Sequence, residues 1–335
     1  MSEVFYFLFM GVIILEFFLQ IVLLIAGFVL LIKGADWFVD GSSCIAAKMG
    51  IPQIVIGLTI VALGTSAPEA AVSITGALKQ SAGITVGNVL GSNILNIFLI
   101  LGIASLISPI PVKKNTVKYE MPFLIAISVI FMVMGIWGSS LDIWDGIIMV
   151  LLLAIFFVYL IKISKDERKL TPEDKEEVKL PVGIKSRVWY MILITLIGLA
   201  LIIFGSNLTV NSAKYLASAF GISDRIIGLT VVAFGTSLPE LVTSVIASKK
   251  GKNDIAIGNI VGSNIFNILF VAGVSALITT VEFQTNFILD AIVAAAGAVI
   301  LLVCCLPKKK LTRFGGAILL VCYGAYFANI IIQNI

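Results

Sequence analysis

The chain has 335 residues, of which 59% are hydrophobic and only 13% are charged, and its mean hydropathy is +1.11. Because long apolar runs recur along its whole length, this composition excludes an ordinary soluble domain and predicts an all-α polytopic membrane protein in a lipid bilayer. The net charge of +4 does not indicate nucleic-acid binding, since the basic residues lie in loops between apolar runs. The sequence has no histidine, which argues against a histidine-based metal centre or proton relay.

Apolar runs of about 20 residues, the length that an α-helix needs to cross a bilayer, predict ten transmembrane helices. They lie near residues 15–40, 52–78, 84–107, 119–138, 142–163, 189–213, 224–248, 254–279, 285–306 and 312–332. The longest polar segment, 164–187, mixes charges of both signs with two prolines, so we expect a solvated linker there.

The two halves of the chain repeat each other. A shift of 171 residues aligns 27–107 with 198–278 without a gap. Each half contains five predicted spans, and because five is odd, the second copy crosses the membrane in the opposite sense. We therefore predict two inverted five-helix repeats, residues 1–163 and 188–335, joined by the linker 164–187.

The basic residues indicate the orientation of the chain. With the N-terminus outside, nineteen of the 23 Lys and Arg residues lie in loops that face the cytoplasm, and three lie in external loops. The positive-inside rule therefore predicts extracellular or periplasmic termini and a cytoplasmic linker, in a plasma or inner membrane.

A glutamate recurs inside an apolar segment of each half, Glu69 in GLTIVALGTSAPE and Glu240 in GLTVVAFGTSLPE. A charged residue at membrane depth costs roughly 2.5–3.5 kcal/mol on insertion scales, so both glutamates are candidate functional residues. Pro68 removes a backbone donor and its ring clashes with the carbonyl of Gly64. We expect the helix to kink or unwind at 62–66 and to release carbonyl oxygens there.

The residues around each glutamate form a set of oxygen ligands, which hard cations such as Ca²⁺ prefer. In the first half the candidates are the Ala62 carbonyl, Thr65, Ser66 and Glu69, with Ser92 and Asn96 on the next helix. In the second half they are the Ala233 carbonyl, Thr236, Ser237, Glu240, Ser263 and Asn267. The same set at the same spacing in both halves indicates one ion site built twice. Four further asparagines, at 88, 93, 259 and 264, are compatible with either ligand or helix cross-linking roles.

The paired GTSxPE and GSNxxN motifs resemble the alpha-1 and alpha-2 repeats of the cation/Ca²⁺ exchanger superfamily, and especially the prokaryotic sodium/calcium exchangers. The resemblance covers nearly the whole chain. It implies a bundle of the second, third, seventh and eighth helices around four central cation sites. It also implies that the first and sixth helices slide across this bundle to alternate access.

By motif position, the resemblance implies a role for each candidate ligand. Glu69, Glu240, Thr65 and Thr236 would hold Ca²⁺. The carbonyls of Ala62 and Ala233 would complete sodium sites with Ser66, Ser237, Ser92 and Ser263. Asn96 and Asn267 would line the centre.

The leading hypothesis is a secondary active, electrogenic Na⁺/Ca²⁺ antiporter that works by alternating access, with no cofactor and no enzymatic activity. Two carboxylates balance one Ca²⁺ or two Na⁺, and an empty site would leave both charges uncompensated, which favours exchange over uniport. A channel would more naturally use a symmetric ring of subunits, so two inverted halves in one chain suit alternating access better, and such a chain can work as a monomer. The alternative is a K⁺-assisted or H⁺-coupled cation antiporter. Potassium-dependent relatives typically carry aspartate where this chain has Asn267, as do some potassium-independent prokaryotic ones, and proton-coupled relatives usually carry GNxxE-type motifs.

Overall fold

The computed structural model describes residues 2–79, 82–167, 187–221 and 233–334, and these form helices apart from four two-residue strands. In the first half the elements are α1 (Ser2–Met49), α2 (Gln53–Thr65), α3 (Ala67–Leu78), α4 (82–107), β1 (Ile110–Pro111), α5 (Thr116–Gly138), β2 (Ser140–Leu141) and α6 (Ile143–Glu167). In the second half they are α7 (Val188–Ala219), α8 (Ala233–Thr236), α9 (Leu238–Lys249), α10 (Asn253–Ile278), β3 (Val281–Glu282), α11 (Phe287–Cys305), β4 (Lys310–Leu311) and α12 (Arg313–Asn334).

The described ranges contain eight helices that are long and apolar enough to cross a membrane, and α2 with α3 gives a ninth if the bent pair is one span. These helices coincide with nine of the ten predicted spans. The remaining predicted span, 224–248, lies partly outside the described residues, which include only α8 and α9 from it. This architecture is that of a multi-pass membrane protein.

The first helix is longer than the predicted 15–40, because no proline interrupts it before Pro52. It ends where Gly50 adopts a positive φ of 63° and the amide of Ile51 bonds back to the carbonyl of Ala46 at 2.9 Å. This is the left-handed termination that glycine favours.

The expected kink in the second span is a bend of 53° at Ser66, between α2 and α3. The segment 62–66 does not unwind, since Ala62–Thr65 is still α-helical and the Ala62 carbonyl accepts the amide of Ser66 at 2.9 Å. In the second half, Pro239 likewise cannot donate to the carbonyl of Gly235. The hydroxyl of Ser206 in α7 donates to that carbonyl at 3.0 Å instead.

The centre of the molecule is formed by α4 and α10. In the most apolar stretches of these helices, 72% and 83% of the residues are buried. Close approach of α2 to α10 depends on facing glycines. A Cβ on Gly57 would lie 3.0 Å from the Asp254 carbonyl oxygen, and a Cβ on Gly258 would lie 3.0 Å from the Cα of Gly57. Small residues therefore let the helices that carry the candidate ligands pack backbone against backbone.

The helices α1 and α7 form a pair at the edge of this centre. A Cβ on Gly34 would lie 2.8 Å from the carbonyl oxygen of Gly198, and one on Gly198 would lie 2.7 Å from that of Gly34. The pair is tied to the rest of the protein by Lys250, which follows α9 and contacts Asp36 at 2.6 Å and Asp40 at 2.8 Å.

The short strands connect the two halves reciprocally. β1 pairs antiparallel with β4, with Ile110 opposite Leu311, and β2 pairs with β3, with Leu141 opposite Val281. β1 corresponds to β3 under the shift of 171 residues, and β2 corresponds to β4 under a shift of 170, so each connection is the counterpart of the other.

Candidate functional site

Each of the two glutamates is held by a serine from the opposite half. The hydroxyl of Ser66 donates to Oε1 of Glu240 at 2.9 Å, and the hydroxyl of Ser237 donates to Oε1 of Glu69 at 3.2 Å. Ser263 in α10 adds a longer bond of 3.5 Å to the same Glu240 oxygen. Glu69 is 1% exposed and Glu240 is 0% exposed, so the structure buries both carboxylates.

Four side-chain oxygens in the described part of this region are buried and accept no hydrogen bond. They are Oε2 of Glu69, Oδ1 of Asn96, Oε2 of Glu240 and Oδ1 of Asn267. Buried acceptors are normally satisfied, because leaving one unpaired costs about 1–3 kcal/mol. Carboxylate and amide oxygens are the ligands that hard cations prefer, so this set fits a bound cation.

Two asparagines fix the helical turns that carry the glutamates. Nδ2 of Asn88 donates to the hydroxyl of Ser73 at 2.8 Å and to the backbone carbonyl of Glu69 at 3.1 Å. Asn259 repeats this arrangement with the equivalent serine at 2.9 Å and with the Glu240 carbonyl at 3.4 Å. In the structure these two asparagines connect neighbouring helices, which is one of the two roles that the sequence left open.

The threonines of the motif differ between the halves. Thr65 is fully buried, and its hydroxyl has one proton to donate among three acceptors: Oδ1 of Asn259 at 3.0 Å, the Val61 carbonyl at 3.1 Å and the Ala62 carbonyl at 3.4 Å. Thr236 ends α8 and is half-buried. Because the Thr65 hydroxyl uses its proton in one of these bonds, its lone pairs stay available to a cation.

The remaining candidates lie beside this network. Ala62 is buried, and its carbonyl oxygen accepts the amide of Ser66 at 2.9 Å and lies 3.4 Å from the Thr65 hydroxyl. Ser92 is 2% exposed, one helical turn before Asn96 in α4. Ala233 is the first residue of α8.

Both asparagines with unpaired oxygens lie in π-helical segments, which are Leu95–Ile100 in α4 and Asn267–Ala272 in α10. A π-helical segment adds a residue to a helical turn and is frequent at functional sites. Sequence reasoning did not find these segments, because the residues in them are ordinary helix formers and apolar residues.

Sequence reasoning left Asn93 and Asn264 open between ligand and helix cross-linking roles, although both keep their identity under the shift of 171 residues. The amide of Asn96 donates to Oδ1 of Asn264 at 2.9 Å, and the amide of Asn267 donates to Oδ1 of Asn93 at 3.2 Å. The repeat itself was the signal that could have singled them out.

Comparison with known proteins gives consistent matches over most of the chain. The family model described as sodium/calcium exchanger protein matches residues 19–162 and 190–332. CaxA of Alkalimonas amylolytica is 40% identical over 315 residues, which cover 91% of this chain and 96% of that protein. The sodium/calcium exchanger MaX1 of Methanosarcina acetivorans is 32% identical over 342 residues, with coverage of 91% and 96%. The solved structure of the sodium-calcium exchanger NCX_Mj, soaked with zero Na⁺ and Ca²⁺, matches with a TM-score of 0.80 at 32% identity, over 93% of this chain and 99% of that one.

Proposed function

The chain belongs to the sodium/calcium exchanger protein family, and on this premise we propose that it is a secondary active antiporter that exchanges Na⁺ for Ca²⁺ across a cell membrane. The observation that carries the proposal is the set of four buried oxygens without donors, two of them from the carboxylates of Glu69 and Glu240. The names of MaX1 and NCX_Mj as sodium/calcium exchangers support the choice of ions.

In this proposal the two ions share one set of ligands. Glu69 and Glu240 bind Ca²⁺ together with the hydroxyls of Thr65 and Thr236, and Asn96 and Asn267 line the centre. The sodium ions use the same glutamates with the following oxygens: the carbonyls of Ala62 and Ala233 and the hydroxyls of Ser66, Ser92, Ser237 and Ser263. The bonds from Ser66 and Ser237 to the opposite glutamates support this assignment, since they bring hydroxyl and carboxylate oxygens of both halves together.

The charge of the site explains why transport would be an exchange. Two carboxylates are neutralised by one Ca²⁺ or by two Na⁺, whereas without an ion both charges stay buried and uncompensated. Moving with an ion bound is therefore easier than moving without one, so the inward and outward movements each carry a cation. A third Na⁺ per Ca²⁺ would make the cycle electrogenic.

The proposed architecture has ten transmembrane helices in two inverted repeats, residues 1–163 and 188–335, with a cytoplasmic linker at 164–187 and both termini outside. The reciprocal strand pairs and the reciprocal serine–glutamate bonds support a twofold relation between the halves. Movement of the α1/α7 pair across α2, α3, α4, α9 and α10 would open the site to each side in turn. The site is composed of residues from one chain, which is compatible with a monomer.

The test is uptake of ⁴⁵Ca²⁺ into proteoliposomes that contain the purified protein. We expect uptake from a calcium-containing buffer to require Na⁺ inside the vesicles and to increase when a negative-outside potential draws net positive charge outward. Uptake that is independent of the Na⁺ gradient would contradict the proposal.

The same vesicles distinguish the alternative couplings. With Asn267 the site has one negative charge fewer than it would have with an aspartate, so we expect no requirement for K⁺. A pH gradient without Na⁺ should likewise drive no uptake. Stimulation by K⁺ or by the pH gradient alone would indicate a K⁺-assisted or H⁺-coupled antiporter instead.

A further inference from the structure

We propose that Asn93 and Asn264 are positioning residues that orient the amide oxygens of Asn96 and Asn267 toward the ion site. We name these two residues the asparagine clasp. The inference rests on the proposed function, because it assigns the clasp to ligands of that site. It gives a role to two buried residues that none of the candidate ligand sets includes.

The clasp joins the two central helices at the point where the halves meet. Nδ2 of Asn93 in α4 donates to the backbone carbonyl of Asn264 in α10 at 3.3 Å, and Nδ2 of Asn264 donates to the backbone carbonyl of Asn93 at 3.3 Å. The two residues are 1% and 0% exposed, so water does not compete for these bonds. Each side chain is thereby held against the backbone of the opposite helix.

This arrangement determines the direction of the NH₂ group and of the oxygen in each clasp amide. A backbone carbonyl can only accept a hydrogen bond, so the group of Asn93 that faces the Asn264 carbonyl must be its NH₂. The oxygen of Asn93 then points the other way, toward Asn267. By the same reasoning, the oxygen of Asn264 points toward Asn96.

The clasp oxygens in turn determine the orientation of the two ligand amides. An amide oxygen accepts only, so Asn267 must present its NH₂ to Oδ1 of Asn93, at 3.2 Å, and Asn96 must present its NH₂ to Oδ1 of Asn264, at 2.9 Å. The oxygens of Asn96 and Asn267 are left on the opposite side, where both are buried without a donor. The orientation of both ligand amides therefore follows from two backbone carbonyls.

Loss of the clasp removes this control. If residue 93 has no polar side chain, the amide of Asn267 can turn by half a rotation and present NH₂ to a cation, which is repulsive. We expect weaker binding of Ca²⁺ and Na⁺, beyond any loss of stability. If the asparagines served only to cross-link α4 and α10, stability would fall but ion affinity would stay the same.

The experiment measures ion-dependent stabilisation of the purified full chain in detergent, with Asn93→Leu and Asn264→Leu, which nearly preserve side-chain volume. The half-stabilising Ca²⁺ concentration should rise at least tenfold in each variant. The matched control is Ser275→Ala in α10, which removes a buried bond of 2.7 Å from the hydroxyl to the Val271 carbonyl, away from the site. It should lower the unfolding midpoint but keep the Ca²⁺ dependence within threefold of wild type.

A second variant pair separates positioning from cross-linking. With Asn267→Ala, residue 267 has no amide left to orient, so the proposed effect of Asn93 on this ligand is removed. Adding Asn93→Leu to this background should therefore change the half-stabilising Ca²⁺ concentration by less than threefold. An equal loss in both backgrounds, or wild-type affinity in both leucine variants, would overturn the proposal.

The readout also separates this inference from the proposed function. Stabilisation by ions in detergent requires binding but no transport. A wild-type protein that binds Ca²⁺ yet shows no sodium-driven uptake would refute the exchange function, while the comparison of affinities among variants would still decide the role of the clasp. If one leucine variant does not fold, the other tests the same inference on the symmetric ligand.

Discussion

At the scale of single residues, the charge of the two glutamates dominates the site. Glu69 and Glu240 are buried, each accepts one hydroxyl from the other half, and each has a second oxygen that accepts nothing. A neutral hydroxyl cannot neutralise a carboxylate, and the proposed function assigns this role to a bound cation. The affinity of the site should therefore depend more on these two charges than on any hydroxyl ligand.

We predict that Glu69→Gln and Glu240→Gln each reduce sodium-driven ⁴⁵Ca²⁺ uptake by about 30-fold or more. The reason is that removing one member of a buried charge pair typically costs 2–5 kcal/mol, and every 1.4 kcal/mol is tenfold. Initial rates in proteoliposomes measure the effect, at matched protein content. The control is Glu282→Gln on β3, where the side chain is exposed and the rate should not change. If either glutamine variant exchanged at the wild-type rate, the assignment of that glutamate as an ion ligand would be wrong.

At the scale of helices, the protein consists of a tightly packed centre and a more separate α1/α7 pair. The central helices α4 and α10 are mostly buried. In the most apolar stretches of α1 and α7, by contrast, only 11% and 28% of the residues are buried. The pair is closely packed within itself, because glycines place the two backbones in contact. This organisation suits a pair that moves as one unit along the centre.

We predict that Gly198→Ala separates α1 from α7 and destabilises the protein by about 1–3 kcal/mol, the usual cost of overpacking. The added Cβ would lie 2.6 Å from the amide nitrogen of Phe38 and 2.7 Å from the Gly34 carbonyl oxygen, and neither backbone atom can move alone. Thermal unfolding in detergent measures the loss. The control is Gly324→Ala in α12, where no atom lies within 4 Å of the new Cβ and stability should be kept or slightly increased. Equal midpoints for the two variants would mean that the α1/α7 contact is not close.

At the scale of the whole molecule, the two halves interlock rather than merely lie side by side. The strand pairs, the serine–glutamate bonds and the bonds of the asparagine clasp all cross between halves, and each has its counterpart in the other repeat. The chain is a multi-pass membrane protein of the sodium/calcium exchanger family, as the paired motifs indicated. A site at such a junction can be reached from both faces by equivalent movements.

We predict that the linker faces the cytoplasm and that the loop after α3 faces outward. In a cysteine-free background, Lys79→Cys should react with a membrane-impermeant maleimide in intact cells, because the side chain at 79 is exposed. Lys175→Cys should react only after the membrane is opened, because the positive-inside rule predicts that the basic linker faces the cytoplasm. Equal labelling of both variants in intact cells would contradict the orientation.

The sequence by itself was sufficient for the features that reside within one segment of chain. Apolar runs identify the spans because a helix must shield its backbone from lipid, and nine of the ten predicted spans coincide with described helices. Pro68 predicted the bend at Ser66 because a missing donor acts on the same helix. Glu69 and Glu240 stood out because a charge in an apolar run is costly wherever it lies.

The tertiary structure decided everything that depends on how distant segments meet. No local pattern pairs Ser66 with Glu240, or Lys250 with Asp36, because those contacts depend on helix packing across about half the chain or more. The π-helical segments that contain Asn96 and Asn267 likewise have no marker in the sequence, although each adds a residue to a helical turn. The sequence does not show which way an asparagine amide faces, because the NH₂ group and the oxygen belong to the same side chain and can exchange places by rotation. It became defined only when the carbonyls of Asn93 and Asn264 were found opposite the amides of the other helix.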